Sequence, residues 1–326
     1  MEEQLLAKKI LNWYDLNKRL LPWRKKVSFQ KRQYYTLVSE FMLQQTQVAT
    51  VIPYFNRFIK HVPSFKSLTK LQNKKLLKLW QGLGYYSRAR NLKKTAQKIT
   101  KSYNGNLPDN FEELLKLPGI GNYTASAILA IVFNRPYIPL DGNIERVLKR
   151  YLYLKKDYEI QKDYLQKRKT IFGFSKRSND YAQALMELGA LVCKPKNPLC
   201  LKCPISKKCA SFRKRDFELN KVTKKNINKY FLIKVYKKDT KYLLIKNTRF
   251  NFLKNLRIFP MEELTKPKSF NQNFNLKMSN MNMNIEIRYF NNDKKFSPGF
   301  WIDQKKLDNY VLPSFTKKVV KYLEKN

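Results

Sequence analysis

Four cysteines, which are all that the chain contains, lie in one short segment, CKPKNPLCLKCPISKKC. They are Cys193, Cys200, Cys203 and Cys209, with the spacing C-x6-C-x2-C-x5-C. Thiols crowded in this way are typical of a metal site, because disulfides are disfavoured in an intracellular protein. The spacing leaves structural zinc and an iron–sulfur cluster both open, and the chemistry of the ligands alone slightly favours zinc.

A second chemical group is an acid in apolar company. In the segment SEFMLQQTQVATVIPYF (39–55) and just before it, apolar residues recur at helical spacing and predict a buried helix face. Glu40 lies among them. A carboxylate in apolar surroundings costs free energy unless something compensates it. The position of Glu40 therefore needs a reason other than packing.

The single histidine limits the chemistry further. His61 lies beside Pro63 after a predicted helix, and we expect it on the surface. One histidine argues against a Ser-His-Asp triad and excludes a three-histidine metal site. Acid–base chemistry must then use carboxylates, Lys, Tyr or Cys.

Three turns could hold an anion or a base. In LPGIGNYTASAILA (117–130), Gly119 and Gly121 precede a helix start, which is typical of a phosphate-binding hairpin or of an ordinary turn between helices. Asp141 in PLDGNIERVLKR (139–150) precedes another helix and is first read as its N-cap. QGLGYYSRAR (81–90) combines glycines, tyrosines and arginines that suit phosphates and bases, or a loop before a basic helix.

Charge and size indicate the class of protein. The chain has 326 residues and a net charge of +43, from 67 Lys and Arg against 24 Asp and Glu. Part of this excess reflects a bias towards Lys, Asn, Ile, Tyr and Phe, but nucleic acid is the leading class of partner. The longest apolar run, 125–133, is too short to cross a membrane, and the start does not resemble a signal peptide. We expect a soluble intracellular protein with two domains.

The elements that position these residues are mostly helical as far as residue 211. Helical periodicity is found in 3–13, 36–60, 88–100, 122–133, 143–152 and 181–192. Asp109 with Glu112 predicts a capping box that opens a helix at 110–116. A basic linker is predicted at 212–229, followed by strands at 229–237 and 241–247 in a hairpin, a loop at 266–284, a strand at 283–290 and a closing helix at 314–325.

Taken in order, the motifs SEFMLQQTQ, GLGYYSRARN, LPGIGNYTASAI, LDGNIERVL, ELGALVC and the cysteine spacing resemble one family. The chain resembles the A/G-mismatch adenine DNA glycosylases of the endonuclease III, or helix-hairpin-helix, superfamily over about residues 1–215. The resemblance implies a mostly α fold. It implies a helix-hairpin-helix glycosylase domain (1–211) with an iron–sulfur loop (193–209), then a small α+β Nudix-like domain (230–326) that reads the base opposite adenine.

The resemblance also implies chemistry. Glu40 would be the acid that protonates adenine, because a carboxyl among apolar neighbours should keep its proton. Asp141 would face the sugar cation, so that two carboxylates share the work as in glycoside hydrolysis. The residues implied to contact the bases or line the adenine pocket are Trp23, Arg24, Gln44, Gln45, Thr46, Tyr85, Tyr123 and Glu187.

The same resemblance implies a cofactor and partners. The four cysteines would hold a 4Fe-4S cluster, Gly119 and Gly121 would bind a DNA phosphate, and Ser279 in Met278-Ser279-Asn280 would contact 8-oxoguanine. The expected substrate is double-stranded DNA with adenine opposite 8-oxoguanine or guanine, bound by a monomer. One departure is Gln33, where the family usually has proline.

The same residues bear on two alternative functions. A bifunctional endonuclease III-like glycosylase and lyase for oxidised pyrimidines would carry a lysine where this chain has Tyr123. A non-catalytic iron–sulfur DNA-binding module would have no reason to keep Glu40 and Asp141 together. We therefore expect a monofunctional glycosylase.

Overall fold

The computed structural model describes residues 2–154, 169–172, 175–218, 226–265, 271–291 and 299–325. The chain divides into two compact units. The first comprises Met1–Leu71 with Ser87–Val222, and the second comprises Gln72–Tyr86 with Thr223–Asn326. The segment Gln72–Tyr86 therefore belongs with the C-terminal part of the chain.

In the described part of the chain, the fold is mostly helical and the strands lie in the second unit. The helices are α1 (Glu2–Asn17), α2 (Phe29–Leu43), α3 (Val48–His61), α4 (Phe65–Lys70), α5 (Asn73–Trp80), α6 (Ser87–Ser102), α7 (Phe111–Leu115), α8 (Asn122–Ile131), α9 (Gly142–Leu152), α10 (Ser178–Glu187), α11 (Ala210–Arg213) and α12 (Ser314–Leu323). Among the described residues, none of these helices is long and apolar enough to cross a membrane.

The periodic segment 36–60 is two helices rather than one. It contains the end of α2 and most of α3, and the chain breaks between them at 44–47. Gln45 in this break adopts a left-handed conformation with φ 56°. Such a backbone is uncommon for a residue with a side chain and cannot continue a helix. The break places the polar QQT motif at the end of α2 instead of on a helix face.

Apolar faces of α1, α9 and α10 form one core of the first unit. Ile10, Leu148 and Leu185 are each fully buried in it. This core fixes the start of α9 relative to the end of α10, because the same two helices carry its side chains. The following residues, Leu188–Val192, form a π-helical turn that leads into Cys193.

The cap of α7 differs from the predicted one. Asn110, and not Asp109, is the N-cap, because its side chain accepts a hydrogen bond from the N–H of Glu113 at 3.1 Å. Asp109 instead pairs with Arg135 at 3.1 Å. The predicted N-cap was therefore one residue too early.

Strands of the second unit form two sheets. They are β1 (Ile227–Val235), β2 (Lys237–Lys238), β3 (Lys241–Lys246), β4 (Arg257–Ile258), β5 (Met261–Leu264), β6 (Phe274–Met278), β7 (Met281–Tyr289) and β8 (Phe300–Asp303). One sheet has the order β5-β1-β7-β6, and β1 and β7 are parallel with Phe231 opposite Ile285. In the other, β3 pairs with β2, β4 and β8. Side chains of α12, including Phe315 and Val319, share a core with both sheets.

Two strand predictions were wrong in part. The hairpin before Lys241 joins β3 to the two-residue strand β2, whereas the long strand β1 pairs with β5 and β7 in the other sheet. The predicted loop at 266–284 contains β6 and the start of β7, whose antiparallel pairing brings Met278 opposite Met281. Residues 266–270 of that loop, and 219–225 of the predicted linker, lie outside the described residues.

Candidate active site

A cavity of about 1190 Å³ in the first unit collects most of the residues singled out from the sequence. Its lining includes Trp23, Arg24, Glu40, Gln44, Gln45, Thr46, Tyr123, Asp141 and Glu187. These residues come from the turn Pro22–Arg24, the end of α2, the starts of α8 and α9, and the end of α10. Helix termini supply the polar groups, while the apolar helix faces remain in the core.

Glu40 lies in the last turn of α2 and is 5% exposed. Burial raises the pKa of its carboxyl to about 7, and the charge of Asp141 acts in the same direction. The Tyr123 hydroxyl and the Arg24 guanidinium oppose this rise. Among the residues that the structure describes, Oε2 of Glu40 has no hydrogen-bond partner. A buried carboxyl with a free oxygen and a raised pKa can carry a proton to a ligand in the cavity.

Asp141 is both a helix cap and a cavity residue. Its Oδ1 accepts hydrogen bonds from the N–H groups of Asn143 (3.0 Å) and Ile144 (2.7 Å), and its Oδ2 accepts one from the Asn143 side chain (3.0 Å). Burial raises the pKa of the Asp141 carboxyl, against these hydrogen bonds, which favour its ionised form. The cap geometry thus fixes the direction of the carboxylate that faces the cavity.

A close approach of two backbones supports Asp141. The Nη2 atom of Arg146 donates to the Gly189 carbonyl at 2.6 Å and to Oδ1 of Asn143 at 2.8 Å. A Cβ atom on Gly189 would lie 2.6 Å from the Cβ and 2.9 Å from the carbonyl oxygen of Asn143. Only glycine leaves room for this contact, so Gly189 is a positioning residue for Asp141 that the sequence did not reveal.

Glu187 has the opposite environment from Glu40. Its side chain is fully buried, yet Arg19 donates to both carboxylate oxygens, at 2.8 and 2.7 Å, and Arg24 donates to Oε1 at 3.0 Å. Burial alone would raise the pKa of Glu187, but the hydrogen bond from Arg19 and the charge of Arg24 outweigh it and lower the pKa. The sequence interpretation included Arg24 and Glu187 and missed Arg19. Trp23 packs edge-on against Phe55 beside them, with ring centroids 5.3 Å apart.

Arg88 holds the QQT break in place. Its Nη1 atom lies within hydrogen-bond distance of the Met42 carbonyl (2.8 Å), the Gln44 carbonyl and Oγ1 of Thr46 (3.1 Å). A guanidinium at a helix C-terminus satisfies carbonyls that have no partner in the helix. Gln45, which follows in the left-handed conformation, is exposed.

The hairpin between α7 and α8 contacts the end of α2. Gly119 has φ 82°, and a Cβ atom there would lie 2.9 Å from both the Phe41 ring and Cβ of Asn91. Nε2 of Gln44 donates to the Gly119 carbonyl at 3.3 Å. Gly121 is the N-cap of α8 and is exposed, so that no side chain covers the start of this helix. Tyr123 follows two residues later and lines the cavity.

The four cysteines surround a second, small apolar cavity in the same unit. Arg150 is buried beside it, with Nη1 3.5 Å from Sγ of Cys193 and 2.6 Å from the Lys194 carbonyl. Among the described residues, no three His, Cys, Asp or Glu side chains converge as ligands of a single metal ion. The four sulfurs and the buried cation suit a larger anionic thiolate cluster, because Arg150 would offset its negative charge.

Two predicted site residues lie in the second unit. Tyr85, half exposed, has a left-handed backbone with φ 45°. Ser279 is exposed in the two-residue turn between β6 and β7, with φ 57°. His61, as expected, is exposed, and its Nδ1 lies 2.8 Å from the Arg57 carbonyl.

Comparisons with known proteins identify relatives of this chain. The family model described as "HhH-GPD superfamily base excision DNA repair protein" matches residues 38–170. An adenine DNA glycosylase of Buchnera aphidicola subsp. Baizongia pistaciae is 43% identical over 263 residues, covering 77% of this chain and 72% of the relative. An adenine DNA glycosylase of Buchnera aphidicola subsp. Schizaphis graminum is 35% identical, and the match covers 95% of this chain and 96% of the relative. The solved structure of a thermostable thymine-DNA glycosylase matches with a TM-score of 0.57 at 26% identity. This match covers 65% of this chain and 97% of the glycosylase chain.

The chain has a hairpin beside the Glu40 and Asp141 carboxylates, and it shares its fold with a solved DNA glycosylase. These features and the family match define a helix-hairpin-helix base excision DNA repair protein. The relatives narrow this class further, because the match to the Schizaphis graminum relative extends over 95% of this chain. The chain belongs to the adenine DNA glycosylase family.

Proposed function

We propose that this protein is a monofunctional glycosylase that removes adenine opposite 8-oxoguanine or guanine in double-stranded DNA and leaves an abasic site. The observation that carries the proposal is the pair Glu40 and Asp141 in one cavity, one with a free oxygen and a pKa of about 7, the other held by three hydrogen bonds. Carboxylates in such unlike environments can divide acid and charge-stabilising roles.

The reaction follows from these two groups. Adenine leaves deoxyribose slowly as an anion, so protonation at N7 by Glu40 makes it a neutral leaving group. The C1′–N9 bond then breaks with both electrons going to adenine, and the Asp141 carboxylate faces the resulting sugar cation. Water adds to C1′, its proton passes to Glu40, and the acid is restored.

The wall formed by Glu187, Arg24 and Trp23 is proposed to receive the flipped adenine. Nη1 of Arg24 donates to Oε1 of Glu187 at 3.0 Å, and the Glu187 carboxylate stays ionised because Arg19 also binds it. A fixed array of donors and acceptors beside an aromatic ring can read the edge and face of a base.

DNA contacts are proposed for exposed groups of both units. Gln45 would enter the duplex as adenine leaves it, Thr46 would lie near the opposite base, and the start of α8 at Gly119 and Gly121 would bind a phosphate. Four exposed lysines of the cysteine segment would contact further phosphates: Lys194, Lys196, Lys202 and Lys207. Tyr85 would wedge beside the oxidised guanine. We propose a monomer that acts on chromosomal DNA.

A 4Fe-4S cluster is proposed for Cys193, Cys200, Cys203 and Cys209, because these residues line one apolar cavity beside the Arg150 cation. When bound, such a cluster would cross-link the segment 193–209 through its thiolates. The chain's own contribution is the arginine, which also binds the carbonyls of Lys194 and Pro195.

The second unit is proposed to be a Nudix-like reader of the base opposite adenine. Its turn between β6 and β7 presents Ser279 to solvent with Met278 before it. Ser279 can donate a hydrogen bond to 8-oxoguanine, while Met278 packs adaptably but does not stack as a flat ring does. We propose that this turn gives a modest preference for 8-oxoguanine.

Excision assays on duplexes with adenine opposite 8-oxoguanine, guanine, cytosine or thymine test the function. We expect excision opposite the first two, with Glu40→Gln and Asp141→Asn binding duplex but losing excision by orders of magnitude. Excision within a few-fold of wild type in either variant would refute the assigned roles. Efficient borohydride trapping by the unmodified protein would instead support the bifunctional alternative, since Tyr123 cannot form a Schiff base.

A further inference from the structure

The short segment 81–86 holds Tyr85 in a conformation that it would not adopt alone. Tyr85 has φ 45° and is half exposed, whereas its neighbours Leu83 and Tyr86 are 5% and 4% exposed. Left-handed backbone is unfavourable for a residue with a bulky side chain. Contacts on either side of Tyr85 must therefore hold it.

Part of that support comes from α5, which leads into the segment. The indole Nε1 of Trp80 donates to the Gly84 carbonyl at 3.2 Å, and the N–H of Leu83 donates to the Trp80 carbonyl at 3.1 Å. Trp80 is fully buried, so this end of the loop is fixed to the core.

The rest comes from Leu312, far along the chain in the same compact unit. Its carbonyl oxygen accepts from Nε2 of Gln81 at 3.3 Å and from the hydroxyl of Tyr86 at 3.5 Å. Leu312 is fully buried in the core that also contains Phe315 of α12. One fixed acceptor thus binds the residues that flank the loop on both sides.

We propose that Gln81 and Tyr86 are positioning residues through which the C-terminal part of the chain sets the direction of Tyr85 and thereby the preference for the base opposite adenine. This inference rests on the proposed function, in which Tyr85 wedges beside that base. The C-terminal part then acts on specificity by a second route, independent of the Ser279 turn.

The test uses the full-length protein with Gln81→Met and Tyr86→Phe, singly and together. Each substitution removes the polar group and keeps most of the packing volume. We expect the double variant to lose about tenfold of its preference for 8-oxoguanine over guanine, which corresponds to about 1.4 kcal/mol. Excision of adenine opposite guanine should stay within about threefold of wild type, because neither residue lines the cavity with Glu40. Tyr289→Phe, an exposed tyrosine of β7, is the matched control.

A second measurement separates positioning from loss of stability. In a Tyr85→Ala background, Gln81→Met and Tyr86→Phe should have no further effect on the preference, since the side chain that they position is gone. An undiminished effect in that background would overturn the proposal, as would an unchanged preference in the double variant. If the double variant fails to fold, Tyr86→Phe alone gives the same comparison with about a threefold loss.

The outcomes also separate this inference from the proposed function. A wild-type protein that excises no adenine refutes both. If the wild type excises adenine and the Gln81→Met and Tyr86→Phe substitutions leave the preference for 8-oxoguanine unchanged, only the positioning role of Gln81 and Tyr86 is refuted.

Discussion

The hydroxyl of Tyr123 should set the pH at which the enzyme loses activity. It donates a hydrogen bond to the Glu40 carboxyl, which stabilises the ionised form and opposes the rise of the pKa that burial causes. The acid acts only when protonated, so the rate of base release should fall as the pH rises through about 7. Tyr123→Phe removes the donor while keeping the ring, so the pKa of Glu40 should rise further.

The size of the shift follows from the hydrogen bond. A net contribution of about 0.5–1.5 kcal/mol for one hydrogen bond corresponds to roughly 0.4–1.1 pKa units at 1.36 kcal/mol per unit. The falling limb of the pH profile should therefore move from about 7 to roughly 7.5–8. At pH 8 the variant would be protonated more often than wild type, so its relative rate should increase there.

Single-turnover excision of adenine opposite 8-oxoguanine, at saturating enzyme and across pH 5.5–9, measures this limb. Tyr34→Phe is a suitable control, because Tyr34 lies on α2 with Glu40 but its hydroxyl donates to the Val62 carbonyl, at 2.7 Å, instead of to Glu40. It should leave the limb in place. A limb that stays near 7 in Tyr123→Phe, or moves to lower pH, would refute the assigned hydrogen bond or the acid role of Glu40.

Two further predictions concern stability. Glu40→Gln should equal wild type in stability near pH 4 and exceed it above pH 7, because a pKa raised from 4.5 to about 7 removes about 3 kcal/mol of wild-type stability as the pH rises from the unfolded to the folded value. Thermal melts at both pH values measure this, and equal Tm values at pH 8.5 would contradict it. Gly189→Ala should lower Tm and excision together, because its Cβ would lie 2.6 Å from Asn143. Gly142→Ala, which meets nothing within 4 Å, should leave Tm unchanged, and equal melts for the two alanine variants would argue against the close approach.

The sequence located the cavity residues better than their supports. The family resemblance predicted that Glu40, Asp141, Arg24 and Glu187 belong to one site, and the structure brings all of them to one cavity. Arg19 was missed because one arginine just after the end of α1 carries no pattern in a chain with 67 basic residues. Its pairing with Glu187 depends on packing between segments more than 160 positions apart.

Strand pairing shows the same limit. The sequence predicts the run 229–237 as the first half of a hairpin, because the next apolar run follows closely. Its actual partner across a parallel ladder is β7, some fifty residues later, and local propensity contains no information about such a partner. The departure at Gln33 also has a tertiary cause, since its fully buried amide donates to Asn106 at 2.9 Å and accepts from the N–H of Leu107 at 2.6 Å. A proline there could make neither contact.

Glu40 and Glu187 show how one cavity shifts the pKa values of two buried glutamates in opposite directions. Burial raises the pKa of both carboxyls, so desolvation cannot distinguish them. The difference is that Arg19 and Arg24 donate to Glu187, whereas Arg24 acts on Glu40 only as the weakest of the effects on its pKa. The neighbouring guanidinium groups, and not the residue type, therefore decide the direction in which each pKa moves. Arg19 lines the same cavity and binds both carboxylate oxygens of Glu187, so Arg24 is not the sole counter-ion of Glu187, and Glu40 keeps a pKa of about 7.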